Sequence, residues 1–228
     1  MTSNPICIIP ARGGSKRIPR KNIVPFNGKP LIAWSIETAL QSKVFSKIIV
    51  TTDDDEIANI AKKYGAEIPF MRATELANDF ATTAEVITDA LTKLEHTDHV
   101  CCLYPTAPLI KTDDFHSAYS KLIETNADCI ITVTEYDFHP LRAFEVKQDG
   151  KLDFKWPENA LTRSQDMPNL LHDAGAFYFF KTSEFMKQNK IVMEHTISHQ
   201  IERSRAVDID TPEDLEFAKL LHQHILKA

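Results

Sequence analysis

The sequence predicts an α/β protein: a mostly parallel, twisted sheet with helices on both faces and a β-hairpin arm. Three observations predict it. Short apolar runs alternate along the chain with segments of helical spacing. The apolar runs are continuous, as in strands covered on both faces. Between about residues 135 and 175 the rhythm breaks into two short runs around Asp149-Gly150, a hairpin-turn pair.

In chain order, Ile6–Pro10 reads as a buried strand ending in a proline and a glycine pair. Leu31–Gln41 has helical spacing, with Leu31, Trp34, Ile36 and Leu40 offering one apolar face. Lys47–Thr52 is the second strand. Acids at Asp53 to Glu56 open a helix at its positive end, and Gly65 stops it after Tyr64. Thr82 or Thr83 caps a helix to about Leu94, and His99–Tyr104 is a strand closed by Pro105. Helix Asp113–Thr125 and strand Asp128–Thr134 come next. Arg142–Val146 and Lys151–Phe154 form the hairpin. The α/β pattern resumes with Ala176–Phe180, helix Thr182–Asn189, strand Arg205–Asp208 and a last helix from Pro212. Residues 1–228 are expected to form one domain, with the arm inserted at about 135–175.

Composition excludes several classes. The longest unbroken apolar runs, Val100–Tyr104 and Ala176–Phe180, are five residues, against the roughly 20 a membrane helix needs. The net charge of −6 argues against a general nucleic-acid coat. Cys7, Cys101, Cys102 and Cys129 form no C-x-x-C pair and sit in apolar runs, as core thiols do. With no secretory signal recognisable, a reducing cytoplasm is the expected compartment.

Charge position is more telling. No acid precedes Glu37, so the opening stretch carries +6 through Arg12, Lys16, Arg17, Arg20, Lys21 and Lys29. Its prolines forbid the continuous amphipathic helix of a transit peptide. A solvated basic face and a local anion site both remain open. Gly13-Gly14 comes directly after the first strand, where open α/β sheets bind ligands. Glycines there let backbone N–H groups approach phosphate, with Arg12, Lys16 and Lys21 around them. Neither G-x-G-x-x-G nor G-x-x-x-x-G-K-[ST] occurs.

Asp208-Ile209-Asp210 is the second feature. On a strand, two carboxylates at i and i+2 share a face, Cα atoms roughly 6.6 Å apart. Such a pair suits a hard cation completed by water and phosphate oxygens, the usual magnesium arrangement. Helix capping is the alternative, although Thr211 and Pro212 already supply the cap and first turn. A basic loop and an aspartate pair at one sheet edge suit nucleotidyl transfer.

The segment Ala11-Arg12-Gly13-Gly14-Ser15-Lys16-Arg17-Ile18-Pro19-Arg20-Lys21-Asn22 resembles the signature of CMP-sialate-type cytidylyltransferases. The resemblance continues through Gly28–Leu31, Thr52–Asp54, Arg72 to Thr83, Pro105–Leu109, Arg163–Asp166 and Asp208–Pro212, essentially the whole chain. His172–Tyr178 and Cys101–Tyr104 look most like the pseudaminic-acid branch of that family. Tyr104 stands where sialate enzymes show glutamine, and Ala174-Gly175 where they show Asn-Gly. The resemblance implies a Rossmann-like nucleotidyltransferase that moves CMP from CTP to the anomeric hydroxyl of an acidic nine-carbon keto sugar. Arg12, Gly13, Gly14, Ser15, Lys16 and Lys21 would meet the CTP phosphates, and Asn22, Arg72 and Thr83 the cytidine part. Arg12, Lys21 and Asp208 would be catalytic, with Asp208 and Asp210 holding Mg2+. Tyr104, Arg163, Gln165, His172, Asp173 and Tyr178 would meet the sugar. The arm would pair two subunits and carry Arg163 towards a neighbouring site, and the product would serve bacterial surface or flagellar glycans. The rivals are a cytidylyltransferase for sialic, legionaminic or keto-deoxyoctonic acid, an enzyme charging a sugar phosphate, and a silent nucleotide-binding module.

Overall fold

A computed structural model describes residues 4–225. The chain runs β1 (Ile6–Pro10), β2 (Pro25–Phe26), β3 (Lys29–Pro30), α1 (Leu31–Ser42), β4 (Lys47–Thr51), α2 (Asp55–Lys63) and α3 (Thr83–Thr92). It continues with β5 (His99–Leu103), α4 (Thr112–Thr125), β6 (Cys129–Glu135), β7 (Phe144–Val146) and β8 (Leu152–Phe154). The last elements are β9 (Leu171–Lys181), α5 (Thr182–Gln188), β10 (Thr196–Gln200) and α6 (Pro212–Ile225).

Six strands form one sheet in the order β10-β6-β9-β5-β1-β4. β1 pairs in parallel with β4 and β5, and β10 with β6. β9 runs antiparallel to both β5 and β6. The sheet is therefore mixed, with five strands in one direction and a reversed strand between them. Period-2 alternation sorts the side chains. Cys7, Ile9, Val50, Leu103 and Phe179 pack on one face, and Ile8, Ile49, Val100, Cys102 and Phe180 on the other.

Local chemistry sets the helix ends. Asp54 caps α2 by accepting from the Ile57 N–H, and Gly65 follows at φ 95°. Thr82 and Glu85 form a capping box on α3. On α1 the buried face is Leu31, Ile32, Ile36 and Ala39. Trp34 is only half-buried and Leu40 is exposed, which corrects the expected face.

The expected strand Arg205–Asp208 is absent. The late strand is β10, half-exposed at the sheet edge, and Ile201 N–H makes the final bond, to Val133 O. The chain then leaves the ladder through a short 3-10 turn at Arg203–Arg205 and reaches α6 as irregular backbone. Two contacts locate that strap. Arg205 makes a two-pronged ion pair with Asp114 of α4 (2.5 and 3.1 Å), both residues buried. Ile209, fully buried, packs with Ile18, Phe26, Leu31 and Leu215. The hairpin forms as expected but shorter, β7 pairing with β8.

Burial alone would raise the Asp114 carboxyl, yet the His199 ring, the Arg205 guanidinium and the Lys111 N–H hold it well below the usual carboxylate range. Asp114→Ala leaves the buried Arg205 with only the exposed Glu202 as its ionic partner, with an expected loss of about 3 kcal/mol in denaturant melts. A carboxyl depressed on folding stabilises above its unfolded pKa of about 4, and that stability drains away as pH falls towards the folded value. Asp114→Asn should therefore flatten the acid limb of the stability curve below about pH 4.

Candidate functional site

β4 and β5 flank β1 on opposite sides, so the chain reverses its winding at β1. Crevices form beyond the carboxyl ends of strands at such a switch point. Here a cleft of about 400 Å³ is lined by Arg12, Gly14, Ser15, Lys16, Arg17, Lys21 and Asn22 of the loop after β1. Asp79, Tyr104, Pro105 and Thr106 close its other walls. A second hollow of about 240 Å³ adjoins it, sharing Pro10, Arg12, Asp79 and Tyr104 and adding Arg72, Leu76, Thr83 and Val86.

Acids from distant parts of the chain hold the basic loop. Gly13 N–H donates to Asp53 Oδ1 at 2.9 Å. Arg20, in the left-handed region at φ 57°, donates both guanidinium prongs to Asp54 (2.6 and 2.9 Å) and one also to Glu56. Asp54 is thereby held below the usual carboxylate range. Lys21 Nζ donates to Ile209 O at 2.7 Å and Asp210 Oδ1 at 3.1 Å, and Arg17 pairs with Asp210 at 2.7 Å. Arg12 and Lys16 both pair with Asp79. Asn22 is buried and donates to Arg12 O at 2.8 Å, so it sets the loop's path from behind.

Arg72 is almost fully buried, bonded through Nε to Thr51 Oγ1 (3.2 Å) and through its other prong to Thr51 O. Burial, with Arg12 nearby, brings its guanidinium down to about 10. Thr83 Oγ1 lies 3.0 Å from Tyr104 OH. The Tyr104 and Tyr178 rings meet edge to face at 5.6 Å, and Tyr178 OH donates to Asp173 Oδ2 at 2.7 Å. A bulge builds this corner. The β6–β9 register jumps between Ile131↔Tyr178 and Val133↔Asp173, and Gly175 takes φ 60° inside it. Thr132 fills the gap, its hydroxyl donating to Phe177 O (2.9 Å) and accepting from Phe177 N–H (3.2 Å). Asp173 Oδ1 accepts from Gly175 N–H at 2.8 Å. Burial, then Tyr104 and Asp173, push the Tyr178 phenol far up, and burial lifts Tyr104 to about 12, so both stay neutral donors.

Asp208 and Asp210 lie on the irregular strap before α6, so the expected strand geometry does not apply. Asp210 holds the two loop cations. Among the described residues no donor reaches the Asp208 carboxylate. The protein packed around it, and next Asp210, raise it above the usual range against the pull of Lys21 and Arg17.

The structure thus brings Arg12–Asn22, Arg72, Thr83 and Tyr104 around two joined hollows, with Tyr178 and Asp173 behind Tyr104 and Asp210 tied to Lys21. His172 faces the ring of Tyr136, with Nδ1–H donating to Asp173 O at 2.9 Å. Arg163 and Gln165 are not brought to the cleft. Both are exposed on the arm, and Arg163 pairs with Asp166 at 3.1 Å. Sequence reasoning missed Asp79 as a cleft residue and Asp53, Asp54 and Arg17 as its supports. Asp53-Asp54 follow the strand beside β1, a position that pointed to them.

This fold and cleft define a nucleotidyltransferase-type α/β protein. The superposition on CMP:2-keto-3-deoxy-manno-octonic acid synthetase complexed with CTP has a TM-score of 0.74 at 18% identity, covering 98% of this chain and 100% of the other. The family model described as cytidylyltransferase matches residues 6–227. The chain belongs to that family. It is 43% identical over 222 residues to a pseudaminic acid cytidylyltransferase of Campylobacter jejuni, covering 96% of each chain. It is 31% identical to an Escherichia coli N-acylneuraminate cytidylyltransferase, covering 98% of this chain and 53% of that one.

A Cβ at Gly13 would sit 2.9 Å from Asp54 Oδ2 and 3.0 Å from Asp54 Cβ. Arg20 and the α2 N-terminus hold Asp54, so it has little room to retreat. Gly13→Ala is expected to cost about 1–3 kcal/mol in a denaturant melt, and Gly14→Ala, which meets nothing within 4 Å, much less.

Proposed function

We propose that the protein transfers CMP from CTP to the anomeric hydroxyl of pseudaminic acid, releasing pyrophosphate. One observation carries this reading: a cleft lined by Arg12, Lys16, Arg17 and Lys21 opens into a hollow holding the buried Arg72 and Thr83. A triphosphate fits the basic cleft, with the Gly13-Gly14 backbone and Ser15 beside it. The cytidine part fits the adjoining hollow against Arg72 and Thr83, and Asn22 acts through the Arg12 backbone. Lys21, anchored by Asp210, offers its positive charge to the oxygens that gain charge during transfer. The sugar hydroxyl attacks the α-phosphorus and loses its proton. The bond to the bridging oxygen breaks, and its electron pair leaves with pyrophosphate.

Asp208 and Asp210 would hold magnesium. The fit rests on Asp208, a carboxylate without a protein donor, beside a second carboxylate that raises its proton affinity. Among the described residues no cluster of three or more metal-ligating side chains occurs, which suits an ion whose other positions go to water and phosphate oxygens. Such an ion neutralises phosphate charge when bound.

The 43% identity to a pseudaminic acid enzyme favours that sugar, with Tyr104 on the cleft wall meeting it and Tyr178, buried behind Tyr104, holding the exposed Asp173 beside it. His172 borders the same corner. Arg163 and Gln165 would serve a neighbouring subunit's site, with the arm as the dimer contact. The arm's exposed Phe138, Phe144, Val146, Leu152 and Leu161 support that pairing. Residues 1–228 would act as one domain. Four buried free cysteines support a reducing cytoplasm, and no helix is long and apolar enough to cross a membrane among the described residues.

Magnesium-dependent pyrophosphate release from CTP, compared with pseudaminic and N-acetylneuraminic acids at equal concentration, tests the assignment. Release with pseudaminic acid alone is expected. Release with N-acetylneuraminic acid alone would transfer the reading to that sugar, and silence with both would overturn it. Asp208→Asn should abolish turnover while raising thermal stability at neutral pH, because it removes an ionised carboxylate that folding disfavours.

A further inference from the structure

The cleft that suits a triphosphate also contains an acid. Asp79 lines it, with Oδ1 2.9 Å from an Arg12 guanidinium nitrogen and Oδ2 2.5 Å from Lys16 Nζ. Lys16 first, and then Arg12, hold this carboxyl below the usual carboxylate range. Both partners are cations of the proposed phosphate site, so any role for Asp79 rests on that reading. A carboxylate and a triphosphate cannot both sit against Arg12 and Lys16 without strong like-charge repulsion. One must leave.

The loop carrying Asp79 is constructed to present it. Asn78 Oδ1 accepts from the N–H groups of Phe80 and Ala81 (2.7 and 2.9 Å), and Asn78 Nδ2 donates to Glu75 O at 2.7 Å. Arg12 also donates to Asn78 O at 2.8 Å. Beyond this knot Phe80 is 91% exposed, so little apolar packing ties the loop tip to the body. Its attachment to the cleft is polar, through Arg12 and Lys16, and those bonds are the ones a phosphate would take over. Loops with few buried apolar contacts move at low cost.

We propose that Asp79 is a built-in counter-ion of the phosphate site. It occupies Arg12 and Lys16 when no phosphate is bound, yields them to the incoming triphosphate, and reclaims them as pyrophosphate departs. Asp79 thereby weakens binding of every phosphate ligand and hastens product release. It is a competing residue, outside the bond-making steps.

The test is calorimetric titration of inorganic pyrophosphate, without sugar, into wild type, Asp79→Asn and Asp79→Ala, with thermal melts of each. Two partly exposed ion pairs are modest competitors, so both variants should bind pyrophosphate about 3- to 10-fold more tightly. Cytidine, which carries no phosphate, should gain much less affinity than pyrophosphate in both variants. In turnover, pyrophosphate inhibition should strengthen by the same factor. Unchanged or weaker pyrophosphate binding in variants that melt like wild type would overturn the proposal and leave the phosphate site standing. Wild type that binds neither pyrophosphate nor CTP would overturn both.

Discussion

Crowded positive charge dictates most of this site. Arg12, Lys16, Arg17, Arg20 and Lys21 lie on one short loop, and like charges so close repel unless acids intervene. The acids come from elsewhere in the chain: Asp53, Asp54 and Glu56 after β4, Asp79 before α3, and Asp210 before α6. These contacts tie the loop to three separate segments, so neutralising the charge also fixes the loop's shape. Because Asp210 is shared between Arg17 and Lys21, the strap bearing Asp208 is tied to two cations that line the cleft. An apolar anchor reinforces this, since Ile18 of the loop and Ile209 of the strap belong to one buried cluster.

The opposite wall depends on a different constraint, a reversed strand in the middle of the sheet. β9 runs against both neighbours, so its start lies at the edge where β1, β5 and β6 end. The bulge at Asp173–Tyr178 rotates Asp173 back onto Tyr178 OH, and Tyr178 lies against Tyr104, which lines both hollows. The two hollows therefore meet at one tyrosine whose phenol stays protonated, because burial penalises the phenolate. The side chains here are neutral donors and one acceptor, in contrast to the cationic wall facing them.

Much of this was legible in the residues. The acid-free opening, Gly13-Gly14 after an apolar run, and Asp208 to Asp210 before a capped helix are local patterns, and local patterns survive folding. The helices α1 to α6 and strands β1, β4, β5 and β6 were legible within a few residues for the same reason. Thr196–Gln200 was not, because an edge strand with one large apolar residue carries no buried-strand signal. The reversed direction of β9 was not either, since Ala176–Phe180 reads alike whichever way it pairs. Nothing local singles out Asp79. Its meaning depends on Arg12 and Lys16, more than sixty residues away in sequence, which only the fold brings within reach.

The central claim is that the cationic loop receives a triphosphate. Calorimetric titration of CTP and of cytidine into wild type and Arg12→Ala, each at low and high salt, addresses that most directly. Charge-assisted contacts of this kind are worth roughly a 10- to 100-fold change in affinity. CTP binding should therefore fall by about that factor in the variant and weaken with salt in wild type, with cytidine losing far less in the variant and nearly indifferent to salt. Equal CTP affinity in the two proteins, insensitive to salt, would contradict the claim.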